Sequence, residues 1–226
     1  MFTCFRVALT VGLGLLLFVS NSRADPLDTE ARAAARALGY AGVEAYQAGD
    51  YRAANEKLTR AFALLRAPSL GLWSARALVR LGDLAAAAAR YREVVAVPIE
   101  TGNAEIQNRA RLDANKELNA ILPRLAHLSF AIEGAPTASV EIWLDDVLLP
   151  HDAYTRELEL NPGSHHLRAL YVKQRIDVQF DAAEGEARRI PLRFGPEQQE
   201  ALATPAASPR TKAEPSKHSS TQRTLG

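Results

Sequence analysis

Two hydrophobic periods divide this chain. Between residues 25 and 121 apolar side chains recur at three- and four-residue intervals, the spacing that gathers them on one face of an α-helix. Ala54, Leu58, Ala61 and Leu65 form one such series, and Leu70, Trp73, Ala77 and Leu81 another. From Leu125 the interval shortens to two: Leu128, Phe130 and Ile132 alternate with Ser129 and Ala131, and Val140, Ile142 and Leu144 alternate with Glu141 and Trp143. That alternation marks strands with one buried face.

The helical part is punctuated by turn formers. A first helix, capped by Asp28 or Thr29, reaches Ala48 and breaks at Gly49-Asp50. A second covers Tyr51 to Arg66 and ends before Pro68-Ser69. A third runs to Leu81, and a fourth follows Gly82-Asp83 to Val95, stopping by Pro98. A fifth, more polar helix spans 104–121. The second and fourth helices repeat one another. Gly49-Asp50-Tyr51, Ala54, Leu58 and Ala61 are matched, 33 residues later, by Gly82-Asp83-Leu84, Ala87, Tyr91 and Val94. A recurrence of this length is the mark of stacked helical hairpins, none of which buries its apolar stripe alone.

These residues resemble a tetratricopeptide repeat pair over residues 35–98. Gly42 stands at the family's small close-contact position, Ala54 and Ala87 at its packing alanine, and Leu58 and Tyr91 at its large apolar residue. Ala61 matches its second alanine, with Val94 instead in the second repeat. Ala75 replaces the glycine there, and the closing prolines are displaced to Pro68 and Pro98. The resemblance implies a concave partner-binding face. In that register the face carries Val43, Tyr46 and Gln47 from the first repeat, and Leu72, Arg76, Val79 and Arg80 from the second. Arg109 joins if the fifth helix continues the stack. Arginines beside apolar groups suit an acidic or C-terminal peptide carboxylate; a solvated arginine stripe is the plainer reading of Arg76 and Arg80. A polar fifth helix suits a terminal cap.

Six or seven strands are expected between 125 and 195. Beyond the first two they lie around Val147–Leu149, Leu158–Leu160, Leu167–Tyr171, Ile176–Phe180 and Ile190–Phe194, with a turn at Asn161-Pro162-Gly163. They predict a small antiparallel β-sandwich. Glu133-Gly134-Ala135, Val140-x-Ile142-x-Leu144-Asp145 and Leu160-x-Pro162-Gly163-x-His165 resemble a PEGA-type domain, a surface-associated β-sandwich. Asp146 stands where that family usually has glycine, and Pro136-Thr137-Ala138 is inserted before the strand. The fold class expected is thus α+β in two domains, 25–121 and 125–195.

The two ends differ from this globular body. Residues 1–24 have a basic start, an apolar run from Val7 to Val19 and small residues at Ser22 and Ala24. This is the layout of a secretory signal peptide, with an uncleaved anchor as the alternative. Residues 196–226, rich in Pro, Ser, Thr and Lys, predict a disordered tail. The single cysteine, Cys4, lies in the leader, so the mature chain offers no disulfide, thiolate or Cys-zinc chemistry. Loss of Arg6 and Arg23 with the leader leaves basic and acidic residues nearly equal, from 27 and 26 in the full chain. That balance argues against nucleic acid as a partner.

No Gly-rich phosphate loop, nucleophile elbow or paired metal-binding histidine motif occurs. His165-His166 are adjacent on a strand and so point to opposite faces. Asp145-Asp146 and His151-Asp152 read as turns rather than a metal site. Trp143, out of step with the buried positions of its strand, marks an interface, a contact with the helical domain or a cross-strand contact. The expectation is a non-enzymatic exported scaffold of the periplasm or cell envelope, needing no cofactor or metal. It would bind a protein or peptide, or an envelope polymer, through Tyr46, Gln47, Arg76, Arg80, Arg109 and Trp143. The alternative is a carbohydrate- or metal-binding accessory module.

Overall fold

A computed structural model describes residues 26–100 and 102–195. The expected leader and tail lie outside the described residues. The chain divides into two compact units, one ending at Leu118 and the other beginning at Asn119. Five helices come first and a sheet-rich part follows, an α+β layout.

The helices are α1 (Pro26–Gln47), α2 (Tyr51–Leu64), α3 (Pro68–Leu81), α4 (Leu84–Ala96) and α5 (Ala104–Ile121). α1 starts at Pro26, two residues before the expected cap, since a proline suits the first helical position, where its missing N–H costs nothing. α2 ends at Leu64 rather than Arg66, because Leu65 is already extended (φ −139°, ψ 107°).

The sequence recurrence is matched in backbone geometry. Gly49 and Gly82 both take left-handed φ (84° and 81°), where glycine carries no steric penalty. The next residues, Asp50 (φ −82°, ψ 76°) and Asp83 (φ −84°, ψ 72°), cap α2 and α4. Each carboxylate accepts the backbone N–H three residues on, from Ala53 at 3.0 Å and Ala86 at 3.2 Å. Three of the paired apolar positions are buried in both helices: Ala54, Leu58 and Ala61 in α2, and Ala87, Tyr91 and Val94 in α4. At the fourth, Leu84 is buried and Tyr51 half-buried. The helices approach closely because small residues stand at the contacts. A Cβ on Gly42 would lie 2.6 Å from Leu58 Cγ, well inside contact distance.

The second unit has seven strands: β1 (Ala126–Glu133), β2 (Glu141–Leu144), β3 (Val147–Leu148), β4 (Leu158–Leu160), β5 (Gly163–Tyr171), β6 (Gln174–Ala182) and β7 (Ala187–Arg193). They form a three-stranded sheet, β4-β1-β7, and a four-stranded sheet, β3-β2-β5-β6. Both contribute to one apolar core. Leu128, Phe130, Leu160 and Leu192 come from the first, and Ile142, Leu167, Ala169 and Phe180 from the second. The antiparallel expectation fails at one pair: β1 and β7 run parallel, from His127↔Ala187 to Glu133↔Arg193. Alternation shows which face of a strand is buried but not which way its neighbour runs, so the sequence pattern could not reveal this.

Tyr154 is buried in that core, in the short 3-10 helix His151–Thr155. Its hydroxyl accepts the Ile142 N–H at 3.0 Å and donates to the Leu149 carbonyl at 3.3 Å. Burial pushes the phenol up, partly opposed by the Ile142 N–H.

Two hairpins carry backbone strain. β2 and β3 are joined by Asp145 and Asp146, both left-handed (φ 50° and 64°), as a tight primed turn demands. Asp145 has side-chain partners that hold it there: one carboxylate oxygen accepts the His166 N–H at 2.9 Å and the other lies 2.7 Å from His165 Nδ1. Asp146 is largely exposed, with Arg168 no nearer than 3.9 Å. Between β5 and β6, Val172 has φ 56° and is 85% exposed, an uncommon state for a β-branched residue.

Asp146→Gly and Val172→Gly are each expected to raise unfolding free energy by about 1 kcal/mol, since relief of left-handed strain exceeds the added chain entropy. Asp50→Ala and Asp83→Ala are each expected to lower it by about 1 kcal/mol through loss of the cap. Urea denaturation of the four variants checks both signs.

Candidate binding surfaces

An aromatic and cationic series crosses the helical unit. Tyr46, near the end of α1, meets Tyr51 of α2 (ring centroids 5.2 Å, 65°) and Trp73 of α3 (5.2 Å, 69°), both edge to face. The Arg80 guanidinium lies 4.5 Å from the Tyr51 ring centroid, and that of Arg76 lies 5.0 Å from Trp73. The three rings are half-buried, and Tyr46 and Trp73 pack on Ala54, Leu58 and Ala77. Trp73 falls on the apolar side of its helix, as its spacing requires, and its ring still reaches the surface.

The two arginines differ in state. Arg76 is tied to Glu117 of α5 through Nη2 at 2.6 Å and Nε at 3.0 Å, and Asp113 stands 3.8 Å away. Glu117 also accepts the Tyr91 hydroxyl at 2.7 Å. One carboxylate therefore joins α3, α4 and α5. Its hydrogen bond raises the Arg76 pKa against the opposing effect of burial. Burial first, then the bond to Glu117, pushes the Tyr91 phenol up. A guanidinium so engaged has little left for a peptide carboxylate, so the structure removes Arg76 from the set of free arginines. Arg80 is exposed and makes no ion pair with any described residue. Arg109 pairs with Asp113 at 3.2 Å on its own helix and is 77% exposed, and Gln47 is exposed at the end of α1. The structure thus brings Tyr46 and Arg80 together around Tyr51, a residue the sequence reading left out. It gives no contact from Gln47 or Arg109 to those rings.

In the second unit Trp143 is half-buried on β2 opposite Arg168 of β5, whose guanidinium covers the ring at 5.1 Å. The cross-strand contact among the expected readings of this tryptophan is present. His165 and His166 face opposite sides of β5. His165 Nδ1 lies against Asp145 and its Nε2 is 2.8 Å from the Asn161 carbonyl oxygen, so neither ring nitrogen is open to a metal. His166 Nε2 is 3.3 Å from Asp177, whose carboxyl is held below its usual range mainly by Arg175.

A cleft of about 420 Å³ lies beside these histidines, with Ser164 and Asp181 at its wall. The Ser164 hydroxyl bonds to the Asp181 carboxylate. Ser164 and His165 therefore do not form a nucleophile–base pair. Among the described residues no three metal-binding side chains cluster, and no helix is long and apolar enough to cross a membrane.

Tyr91→Phe is expected to cost about 1.5 kcal/mol, the value of one hydrogen bond to a charged group. Glu117→Ala is expected to cost more, because it leaves both Arg76 and the Tyr91 hydroxyl without their shared acceptor. Thermal unfolding of the two variants gives the order. Compared with known families and with curated proteins, this chain matches none.

Proposed function

We propose that this chain is a non-enzymatic exported adaptor of the periplasm or cell envelope. In this reading the helical unit is a pair of tetratricopeptide-type hairpins closed by a fifth helix. The C-terminal unit is a small PEGA-type β-sandwich that holds the protein to envelope material. Support for the hairpin reading comes from the paired caps of Asp50 and Asp83 and from the small residues at the helix contacts. Support for the sandwich reading comes from two sheets that share one core.

The observation that carries the function is the half-exposed group Tyr46, Tyr51 and Trp73 with Arg80 at its edge. Aromatic rings and arginine supply most of the energy in protein interfaces because they bury large areas at small cost in side-chain freedom. An isolated helical unit gains nothing from keeping these rings partly in water, whereas a peptide laid across them would complete their burial. The alternative, a carbohydrate- or metal-binding accessory module, has less behind it. Arg168 already covers Trp143, and both nitrogens of His165 are engaged.

Affinity capture from an envelope extract with the mature chain is the test. Arg80→Ala and Tyr46→Ala are each expected to weaken recovery of the principal partner roughly tenfold. Arg80→Ala leaves the thermal midpoint nearly unchanged, whereas Tyr46→Ala also lowers it through loss of its packing on Tyr51 and Trp73, so Arg80→Ala decides the outcome. Equal recovery by both variants removes the aromatic face as the partner site.

A further inference from the structure

A second feature of the helical unit is a cleft of about 340 Å³ between α1, the start of α3 and the start of α5. Its volume falls at the lower end of the range for small-ligand sites. Leu65, Ala67 and Leu70 are its apolar lining, and Arg36 and Gln107 are among its polar lining. Arg32, also in the lining, has an interaction of its own. Arg36 is exposed and makes no ion pair with a described residue.

Gln107 is the informative residue. It is 93% buried, with 7% of its surface accessible, in a core that is otherwise apolar apart from Ser74. Its Oε1 has a clear task. Ala67, at the N-cap of α3, offers no side-chain acceptor, and Gln107 Oε1 instead accepts the Ser69 N–H at 2.9 Å. Its Nε2 has none: it donates to no described residue and lies on the Gly102 side of the cleft, 3.4 Å from where a Cβ on Gly102 would stand. Among the described residues no fully buried side-chain polar atom lacks a partner. This Nε2 is therefore a donor open to the cleft, on a side chain otherwise held in place by burial and by Ser69, and an acceptor entering the cleft can meet it. The positive end of the α3 dipole and the Arg36 guanidinium make that acceptor an anion. The leucine wall adds a demand for hydrocarbon.

We propose that this cleft binds a carboxylate carried on a short apolar group, with Gln107 Nε2 and Arg36 holding the carboxylate and Leu65 and Leu70 covering the apolar part. That chemistry belongs both to a small free acid and to a polypeptide ending in an aliphatic residue. The site is separate from the aromatic face and does not depend on it.

Three probes titrated into the full chain by calorimetry decide the matter: hexanoate, its neutral amide, and a short peptide ending in leucine with a free carboxylate. Hexanoate or the peptide is expected to bind saturably, with a dissociation constant of about 1 mM or tighter. Hexanamide is expected to bind about tenfold more weakly. Hexanoate without the peptide identifies a free acid as the ligand, and the peptide binding at least as well identifies a chain terminus.

Arg36→Ala and Gln107→Glu are each expected to weaken binding about tenfold or more. The glutamate keeps an acceptor for Ser69 but replaces the donor with a charge of the wrong sign. Arg36 is a surface residue, so its variant decides the outcome if Gln107→Glu lowers the unfolding midpoint. Absence of binding by both carboxylates overturns the assignment. So does equal affinity for hexanamide, or unchanged affinity in Arg36→Ala.

Discussion

The helical unit depends on side chains too small to hold its helices apart. Gly42 sits so close to Leu58 that a methyl group would collide, and Ala54, Ala61, Ala75 and Ala87 are fully buried. Close approach of backbones maximises dispersion contacts and leaves no space for water. It also sets where larger groups can go. Tyr46, Tyr51 and Trp73 find no room between the helices and lie half in solvent along their edges, where they meet Arg76 and Arg80. The candidate partner face is thus a by-product of the same packing that makes the unit stable.

Polar groups settle what the small residues leave open. Alanine-lined contacts are tolerant of sliding, because one methyl resembles another. Glu117, held by Arg76 and the Tyr91 hydroxyl, and Gln107, bonded to Ser69 N, each join α5 to earlier helices at defined points. Hydrogen bonds have direction, so these two residues specify a register that the apolar surfaces do not. A polar α5 is therefore more than a solvated end piece: two of its polar side chains are turned inward.

The α+β layout and most helix boundaries were legible in the sequence, because they rest on local chemistry. The two Gly-Asp pairs end one helix and cap the next by interactions that span three residues, and the strands follow from strict alternation. What was illegible depends on partners far along the chain. Nothing near Arg76 announces Glu117, 41 residues later. Nothing near Trp143 announces Arg168, and the alternation of β1 is silent on its parallel neighbour. Gln107 escaped notice because it stands in a polar helix, where one more glutamine carries no signal. In the sequence Tyr51 is a helix-start residue matched to Leu84 in the repeat, and only its position beside Tyr46 makes it central to the aromatic face.

The pairing of β1 with β7 has a consequence for how the second unit comes into being. Its first strand completes its sheet only with its last, some sixty residues later in the chain. Until Ala187–Arg193 has been synthesised, the long edge of β1 is bare, with backbone groups free to pair with any passing strand. Helical hairpins close through contacts between near neighbours and form early, whereas this sheet must wait for its final segment. A ribosome stalled between β6 and β7 would therefore hold a chain with an assembled front and an adhesive rear.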